Sequence, residues 1–192
     1  MKRLSSHRGN GKSNVTAISR LVAFFVFSLI STLAVAGSKT GADFLKIPVG
    51  AQGSSLGQAY TALADGAESL NWNPAGIALA PSYAESSTLG VSVTHQEHVF
   101  ETSLDQLGVV MPANSSRLTS LGVNVLRLSY GAQEQRTADR QKTGSFESSD
   151  LSLGLSAARN FNGLFAGAQV KLLRQQLAGY TAQGYAIDLG LQ

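Results

Sequence analysis

The sequence predicts an all-β protein, an antiparallel transmembrane β-barrel of which about six strands are present, with a small N-terminal helical plug segment. Three observations predict this fold. Apolar residues alternate with small or polar residues over long runs, short connections are mixed with a long polar one, and an apolar N-terminal stretch has the layout of an export signal. Alternation over about ten residues is typical of strands that cross an outer membrane.

The alternation defines six candidate strands, at residues 88–100, 103–112, 117–130, 147–160, 163–177 and 181–192. Most of them are longer than the five or six residues of a typical globular strand. The competing prediction is a soluble exported β-sandwich, whose strands are usually shorter and whose two sheets pack face to face. Strand length and the small or polar alternate positions favour the membrane barrel.

The connections between the strands also suit a barrel. Asn162–Gly163 is a two-residue hairpin signal, and residues 112–116 predict a short turn. Residues 131–145 are polar and charged and predict a long loop. Short turns on one side and longer loops on the other are the rhythm of outer-membrane barrels.

Residues 1–36 predict a secretory signal peptide that is cleaved after Ala36. The stretch 21–30 is almost wholly apolar, residues 34–36 are small, and five basic residues but no acidic one occur before the apolar stretch, namely Lys2, Arg3, Arg8, Lys12 and Arg20. The alternative is a transmembrane anchor, but residues 21–36 are shorter than the roughly 20 apolar residues that a spanning helix needs. The predicted organisation is therefore a signal peptide at 1–36, a plug segment at 37–87 and the first strands of a barrel at 88–192.

Cleavage of the signal peptide changes the charge of the protein. The formal net charge of the whole chain is +3, but removal of the five basic residues leaves ten Lys and Arg against twelve Asp and Glu, a net charge of −2. The basic character belongs to the targeting segment, so it does not indicate a nucleic-acid partner. The chain has no cysteine, which excludes disulfides and thiolate metal sites.

Within the plug segment, the apolar spacing over residues 56–67 predicts an α-helix. Ser55 and Gln58 have the spacing of a capping box at its start, and Asp65–Gly66 offers a stop. Further along lies the stretch Asn71, Trp72, Asn73, Pro74, Ala75 and Gly76. Asn73 is a good N-cap residue and Pro74 suits the first helical position, so a short helical turn is expected to follow.

Several stretches contain residue types that bind phosphate, bind metals or catalyse reactions. The glycine spacing of residues 50–57 matches neither a dinucleotide fingerprint nor a phosphate-binding loop. His95 and His98 point to opposite faces of a strand, so they do not share a metal ion. Asp65 and Glu68 lack the neighbours that a catalytic carboxylate needs. The sequence thus predicts no enzyme, no cofactor and no metal site, and an interior ion pair or simple solvation for Lys171 and Asp188 in the lumen.

Residues 41–81 resemble the N-terminal segment of the PorV/PorQ family of outer-membrane proteins, which is related to the FadL-type transporters. The resemblance rests on the "FLKI" opening (Phe44–Ile47), a Gly–Ala helix start (Gly50–Ala51), an "A-x-A-D" helix end (Ala62–Asp65) and the "NPAG" turn (Asn73–Gly76). It covers about 40 residues, while the remaining strands agree only in type.

The resemblance implies a barrel of about fourteen strands in the cell outer membrane, with the N-terminal segment folded inside as a plug. FadL-type members pass fatty acids and other hydrophobic compounds, whereas PorV-type barrels serve a secretion system. Expected partners are therefore outer-membrane lipid and either hydrophobic small molecules or secretion-system proteins. Expected contacts for a hydrophobic ligand are Phe44, Leu45, Ile47 and Trp72.

The sequence departs from the family in the number of strands. It supplies six candidate strands, whereas closed membrane barrels begin at eight. Since free strand edges are not left in lipid, the sequence is expected to be an N-terminal fragment of a longer gene product or a truncated reading frame.

Overall fold

One antiparallel sheet of six strands dominates the computed structural model, which describes residues 41–79, 89–114 and 119–192. The strands are β1 (Gly90–Glu97), β2 (Ser103–Asn114), β3 (Thr119–Arg136), β4 (Lys142–Phe161), β5 (Leu164–Leu177) and β6 (Tyr180–Leu191). Their order in the sheet is their order in the chain. The all-β prediction is confirmed, and the sheet, which is not closed, is consistent with part of a barrel.

The tight turns of the sheet follow from residues that accept a positive φ. Asn162 and Gly163 join β4 to β5 with φ angles of 54° and 99°, which confirms the predicted hairpin. Ala178 and Gly179 join β5 to β6 in the same way, with φ angles of 47° and 91°. The turn predicted at 112–116 overlaps β2, and its last residues lie outside the described part of the chain.

The prediction of a long loop at residues 131–145 is wrong. Strand β3 continues to Arg136 and β4 begins at Lys142, so only residues 137–141 connect them. A register shift lies at Gly131, whose φ is 67°, and backbone pairing resumes beyond it. The side chain of Glu134 binds both Arg136 and Lys142, so the polar extension is held by ladder hydrogen bonds and charge pairs.

The helix predicted over residues 56–67 is also wrong. The α-helix, α1, covers only Ala51–Ser55. Positive φ angles of 61° at Gly57 and 72° at Gln58 turn the chain out of the helix. The hydroxyl of Ser55 donates to a carbonyl of α1, so it does not cap a following helix. Within the described residues, no helix is both long and apolar enough to cross a membrane.

We call residues 41–79 the N-terminal segment. Besides α1, it consists of turns and three short 3₁₀ helices, at Asp43–Lys46, Glu68–Asn71 and Pro74–Ala78. This segment packs on one face of the sheet, which we call the inward face. Its packing forms two apolar clusters with the strands. Buried members of the first are Ala67, Leu70, Ile77, Ala78, Val110 and Ala158, and those of the second are Phe44, Val49, Leu104, Leu126 and Leu128.

The two faces of the sheet differ as the alternation predicts. On β4, Ser152, Gly154 and Ser156 are buried on the inward face, while Leu153 and Leu155 on the outward face are 40% and 60% exposed. Burial of a Leu or Ile side chain contributes about 1.5–3 kcal/mol. The N-terminal segment therefore supplies much of the apolar burial that the small inward residues of the strands do not.

The described residues from Ala42 to Gln192 form one compact unit. The predicted signal peptide at 1–36 and the end of the predicted plug segment at 80–87 lie outside the described residues.

Candidate functional site

The turn at Asn73 and Pro74 has the predicted local geometry. Asn73 is extended, with φ −156° and ψ 107°, and its side-chain oxygen accepts a hydrogen bond from the backbone N–H of Ala75 at 3.1 Å. Pro74 occupies the first helical position, where its missing N–H costs nothing. The helix that follows is a 3₁₀ helix, Pro74–Ala78, whose five residues are all buried.

The side chain of Asn73 also joins the N-terminal segment to the last strand. Its amide nitrogen donates to the carbonyl oxygens of Thr61 and Leu191, both at 3.1 Å. Asn73 is 4% exposed, so its own amide group has little access to water and depends on these partners. One asparagine therefore caps the turn through its oxygen and fixes the turn to β6 through its nitrogen.

Glycines on the inward face make room for this turn. Gly167 of β5 lies against the carbonyl group of Pro74, and Gly190 of β6 lies against the side-chain oxygen of Asn73. A methyl group at either glycine would overlap these atoms. Gly167 and Gly190 are paired in the sheet, so together they form a flat place on which residues 73–75 rest.

A chain of polar side chains connects the first three strands to the motif. The amide nitrogen of Gln106 donates to Ser92 and to Asn124, both at 3.0 Å. The amide of Asn124 in turn donates to the side-chain oxygen of Asn71 at 2.8 Å. Because Gln106 and Asn124 are buried, these bonds satisfy groups that would otherwise be costly on the inward face.

Trp72 holds the N-terminal segment together internally. Its indole N–H donates to the carbonyl oxygen of Val49 at 2.9 Å. Its ring lies directly over Gly53 of α1, where no side chain would fit, and meets the ring of Tyr60 edge to face at 5.6 Å. Gly53 thus serves close packing within the glycine-rich run.

Tyr60, which contacts the Trp72 ring, is 1% exposed. Its hydroxyl donates to Gln52 at 3.1 Å and is 3.5 Å from a carboxylate oxygen of Glu68. Burial raises the pKa of the Tyr60 hydroxyl, and the negative charges of Glu68 and Asp65 add to this rise. Tyr60 therefore stays a neutral hydrogen-bond donor over the physiological pH range.

A cavity of about 470 Å³ lies between the motif and strands β5 and β6. Asn71, Trp72 and Asn73 line one side, and Gln169 and Asp188 line the other. Gln169 is 1% exposed, and neither atom of its amide group has a hydrogen-bond partner within the described residues. The cavity therefore offers polar side chains to whatever fills it.

Lys171 and Asp188 form an ion pair on the inward face, with 2.5 Å between the ammonium nitrogen and a carboxylate oxygen. Of the two predicted alternatives, the structure shows the interior ion pair. The pair links the adjacent strands β5 and β6 next to the cavity.

The residues predicted to contact a hydrophobic ligand occupy two environments. Phe44 is 3% exposed and packs into the second apolar cluster. Leu45, Ile47 and Trp72 line a cavity of about 170 Å³. This volume is below the roughly 300 Å³ at which small-molecule pockets begin. Their role as ligand contacts stays a prediction.

His95 lies on the outward face of β1, and His98 lies just beyond the end of that strand. The Nδ1 atom of His95 is 2.6 Å from the carboxylate of Asp105, its cross-strand partner, and His98 follows the last residue of β1. Among residues 41–79, 89–114 and 119–192, no group of three His, Asp or Glu side chains is arranged to hold a metal ion.

Sequence reasoning found Asn73 and Pro74 but missed the residues that receive them. Gln106 and Asn124 were visible only as polar residues at inward positions within otherwise apolar strands. Gly167 and Gly190 had the same alternation as other small inward residues, with no local sign of a contact to the motif.

A match to a known family covers most of the chain, at residues 20–187. The chain belongs to the uncharacterised protein family UPF0164. No curated protein and no solved structure matches it. Membership of UPF0164 carries no activity with it.

Proposed function

We propose that the chain forms part of an outer-membrane β-barrel of PorV/FadL-like type, which serves as a structural or secretion-associated barrel. The N-terminal segment is its plug. The single observation that carries the proposal is the outward face of the sheet, on which apolar residues form three continuous rows, two of them across all six strands.

Three neighbouring cross-strand rows make up this apolar surface, which we call the apolar rows. The middle row is Val91, Val109, Val123, Leu155, Val170 and Ile187. The row on one side is Val93, Leu107, Val125, Leu153, Leu172 and Tyr185, and the row on the other side is Met111, Leu121, Ala157, Ala168 and Leu189. A soluble monomer rarely exposes so large a contiguous apolar patch.

Polar residues bound the apolar rows at one end, and an arginine lies in the row at the other end. The next outward row contains the charged or titratable residues His95, Asp105, Arg127 and Arg174. The row after it, which we call the polar row, consists of Glu97, Ser103, Ser129, Ser149, Gln176 and Thr181. Arg159 lies at the opposite end. Along β4, the eight residue steps from Leu151 to Arg159 span about 27 Å, or about 20 Å in height for a strand tilt of about 40°. This height is close to the apolar band of an outer-membrane barrel, about 25 Å tall.

The absence of cysteine from the chain allows a direct test with single-cysteine variants. A nitroxide spin label would be attached at Val123, Leu155 or Val170 in protein inserted in outer-membrane vesicles. We expect these labels to collide more often with oxygen, which dissolves in lipid, than with a water-soluble nickel complex. The physical reason is that the apolar rows would face the hydrocarbon core.

Labels in the polar row at Ser129, Ser149 or Gln176 are the matched controls, because they lie on the same strands and the same face. They are expected to show the reverse preference. Equal access of the nickel complex to both sets, together with recovery of the protein from the soluble periplasm, would instead support a soluble exported β-protein.

The inward face favours the structural or secretion-associated barrel over a FadL-like transporter. Its buried strand residues include many polar side chains, namely Gln106, Ser120, Asn124, Ser148, Asp150, Ser152, Ser156 and Gln169. A pathway for fatty acids needs an apolar lining, whereas these side chains are polar and the N-terminal segment covers much of that face.

Uptake of a labelled long-chain fatty acid by liposomes that contain the protein separates these two functions. We expect uptake no faster than in empty liposomes, and co-purification with exported proteins or secretion components. Saturable uptake that exceeds the empty-liposome rate would establish the transporter instead.

A further inference from the structure

A second cavity, of about 830 Å³, lies at the end of the sheet that is far from the Asn73 motif. Its lining includes four aromatic rings and two buried polar side chains, namely Phe100, Tyr130, Phe146, Tyr180, Ser148 and Asp150. Asp150 and Ser148 flank Ser149 of the polar row but face inward. The cavity shares no lining residue with the cavity at the motif.

The charge of this cavity comes from one carboxylate. Asp150 is 5% exposed, and one of its oxygens accepts a hydrogen bond from the hydroxyl of Tyr130 at 2.7 Å. The lining contains no Lys, Arg or His, and among the described residues no salt bridge reaches Asp150. A buried carboxylate without a counter-charge is costly, so this one favours a cationic partner.

Ser148 gives a second, independent indication of a ligand. Its side chain is also 5% exposed, and its hydroxyl has no hydrogen-bond partner within the described structure. Buried polar atoms are nearly always paired in folded proteins. A ligand with a hydrogen-bonding group beside Asp150 would satisfy the Ser148 hydroxyl.

The aromatic rings determine what else the ligand carries. Phe100 and Tyr180 are 87% and 83% exposed, so two large rings stand open to solvent at this cavity. Phe100 and the following Glu101 have positive φ angles, 58° and 57°, because they are the central residues of the tight turn that joins β1 to β2. Aromatic faces attract both apolar groups and organic cations.

We propose that this cavity binds a small organic cation with an apolar body, an amine whose charged nitrogen lies beside Asp150 and Ser148 and whose carbon skeleton packs on the aromatic rings. A fatty acid does not fit this site, because its carboxylate would be repelled by Asp150. A neutral hydrophobe would leave Asp150 without a counter-charge and the Ser148 hydroxyl without a hydrogen-bond partner. A metal ion would find a single carboxylate, because the lining residues that the structure describes include no second acidic side chain and no histidine.

Titration calorimetry on the full chain in detergent tests the proposal with three probes of one shape: 3-phenylpropylamine, 3-phenylpropanol and 3-phenylpropionate. We expect the amine to bind at least tenfold more tightly than the alcohol and the acid not to bind. The variant Asp150→Asn should lose this preference, with an affinity for the alcohol close to that of the unaltered protein. Equal affinities for amine and alcohol would overturn the proposal.

Two further variants keep the test decisive if Asp150→Asn does not fold. Tyr180→Leu removes an exposed ring on which the carbon skeleton packs, so its expected effect is a severalfold weaker binding of the amine and of the alcohol alike. Glu147→Gln removes an exposed carboxylate near the cavity and should leave the amine affinity unchanged. An amine affinity that falls with Glu147→Gln and not with Tyr180→Leu would mean non-specific surface attraction. Since binding is measured in detergent, the outcome does not depend on membrane insertion.

Discussion

Replacing Gly167 by alanine is expected to lower the free energy of unfolding by about 3 kcal/mol, because overpacking against rigid atoms is costly. The new methyl group would overlap the carbonyl group of Pro74, and backbone atoms in a capped turn do not rotate away. Urea unfolding followed by Trp72 fluorescence reports directly on the N-terminal segment, since Trp72 is the single tryptophan. Circular dichroism on the same samples follows the sheet.

Gly184→Ala is the matched control for this experiment. Gly184 lies on the adjacent strand β6, and an alanine methyl group there would meet no atom within 4 Å. We expect its unfolding midpoint to stay within experimental error of the unaltered protein. Similar losses for Gly167→Ala and Gly184→Ala would mean that the close contact with Pro74 is not what makes Gly167 necessary.

Asn73→Ala should have a comparable effect, a loss of about 2–4 kcal/mol, because it removes the cap and two further hydrogen bonds. The carbonyl oxygens of Thr61 and Leu191 lose the donor that joins them. The expected result is an earlier Trp72 transition in urea. In the inserted protein, the loosened segment should also raise passive permeability or reduce assembly.

Asn73→Asp separates the two roles of this side chain. Aspartate keeps the oxygen that caps Ala75 but has no nitrogen to donate, so it should destabilise at least as much as alanine. Recovery of stability in Asn73→Asp would show that only the cap matters. In addition, Asn73→Ala should partly relieve the overlap that Gly190→Ala creates, so the double variant is expected to lose less than the two single losses added together.

The strands and their two faces could be predicted because their signal is local. Side chains alternate between faces with a period of two, so Leu153 and Leu155 separate from Ser152 and Gly154 without knowledge of any partner strand. The hairpin at Asn162–Gly163 depends on its own two residues, so it could be predicted from the sequence as well.

The wrong predictions concern elements that tertiary contacts decide. The spacing of residues 56–67 fits a helix, but two left-handed residues at its start break it, and packing against the sheet determines the path. The polar residues 131–145 look like a loop, yet the β3–β4 ladder continues through them, with Glu134 between Arg136 and Lys142. Neither outcome can be read from local propensity.

Only one half of the candidate site could be predicted from the sequence. The cap at Asn73 and the position of Pro74 follow from chemistry within three residues. Its other half consists of Gly167, Gly190 and the carbonyl of Leu191, which lie about a hundred residues further along. A single sequence gives no sign of such pairings, because a glycine that receives a turn and a glycine in an open strand have the same neighbours.

The consecutive order of the strands has a consequence for how the chain folds. Each strand pairs with its neighbour along the chain, so the hairpins close over short connections. The contact between Asn73 and Leu191 instead closes a loop of 118 residues. Closing this loop costs more entropy than closing a hairpin, and the contact forms more slowly. The N-terminal segment is therefore the first part of the described chain to be synthesised and the last to be fixed. Its docking marks the moment at which β6 has taken its place.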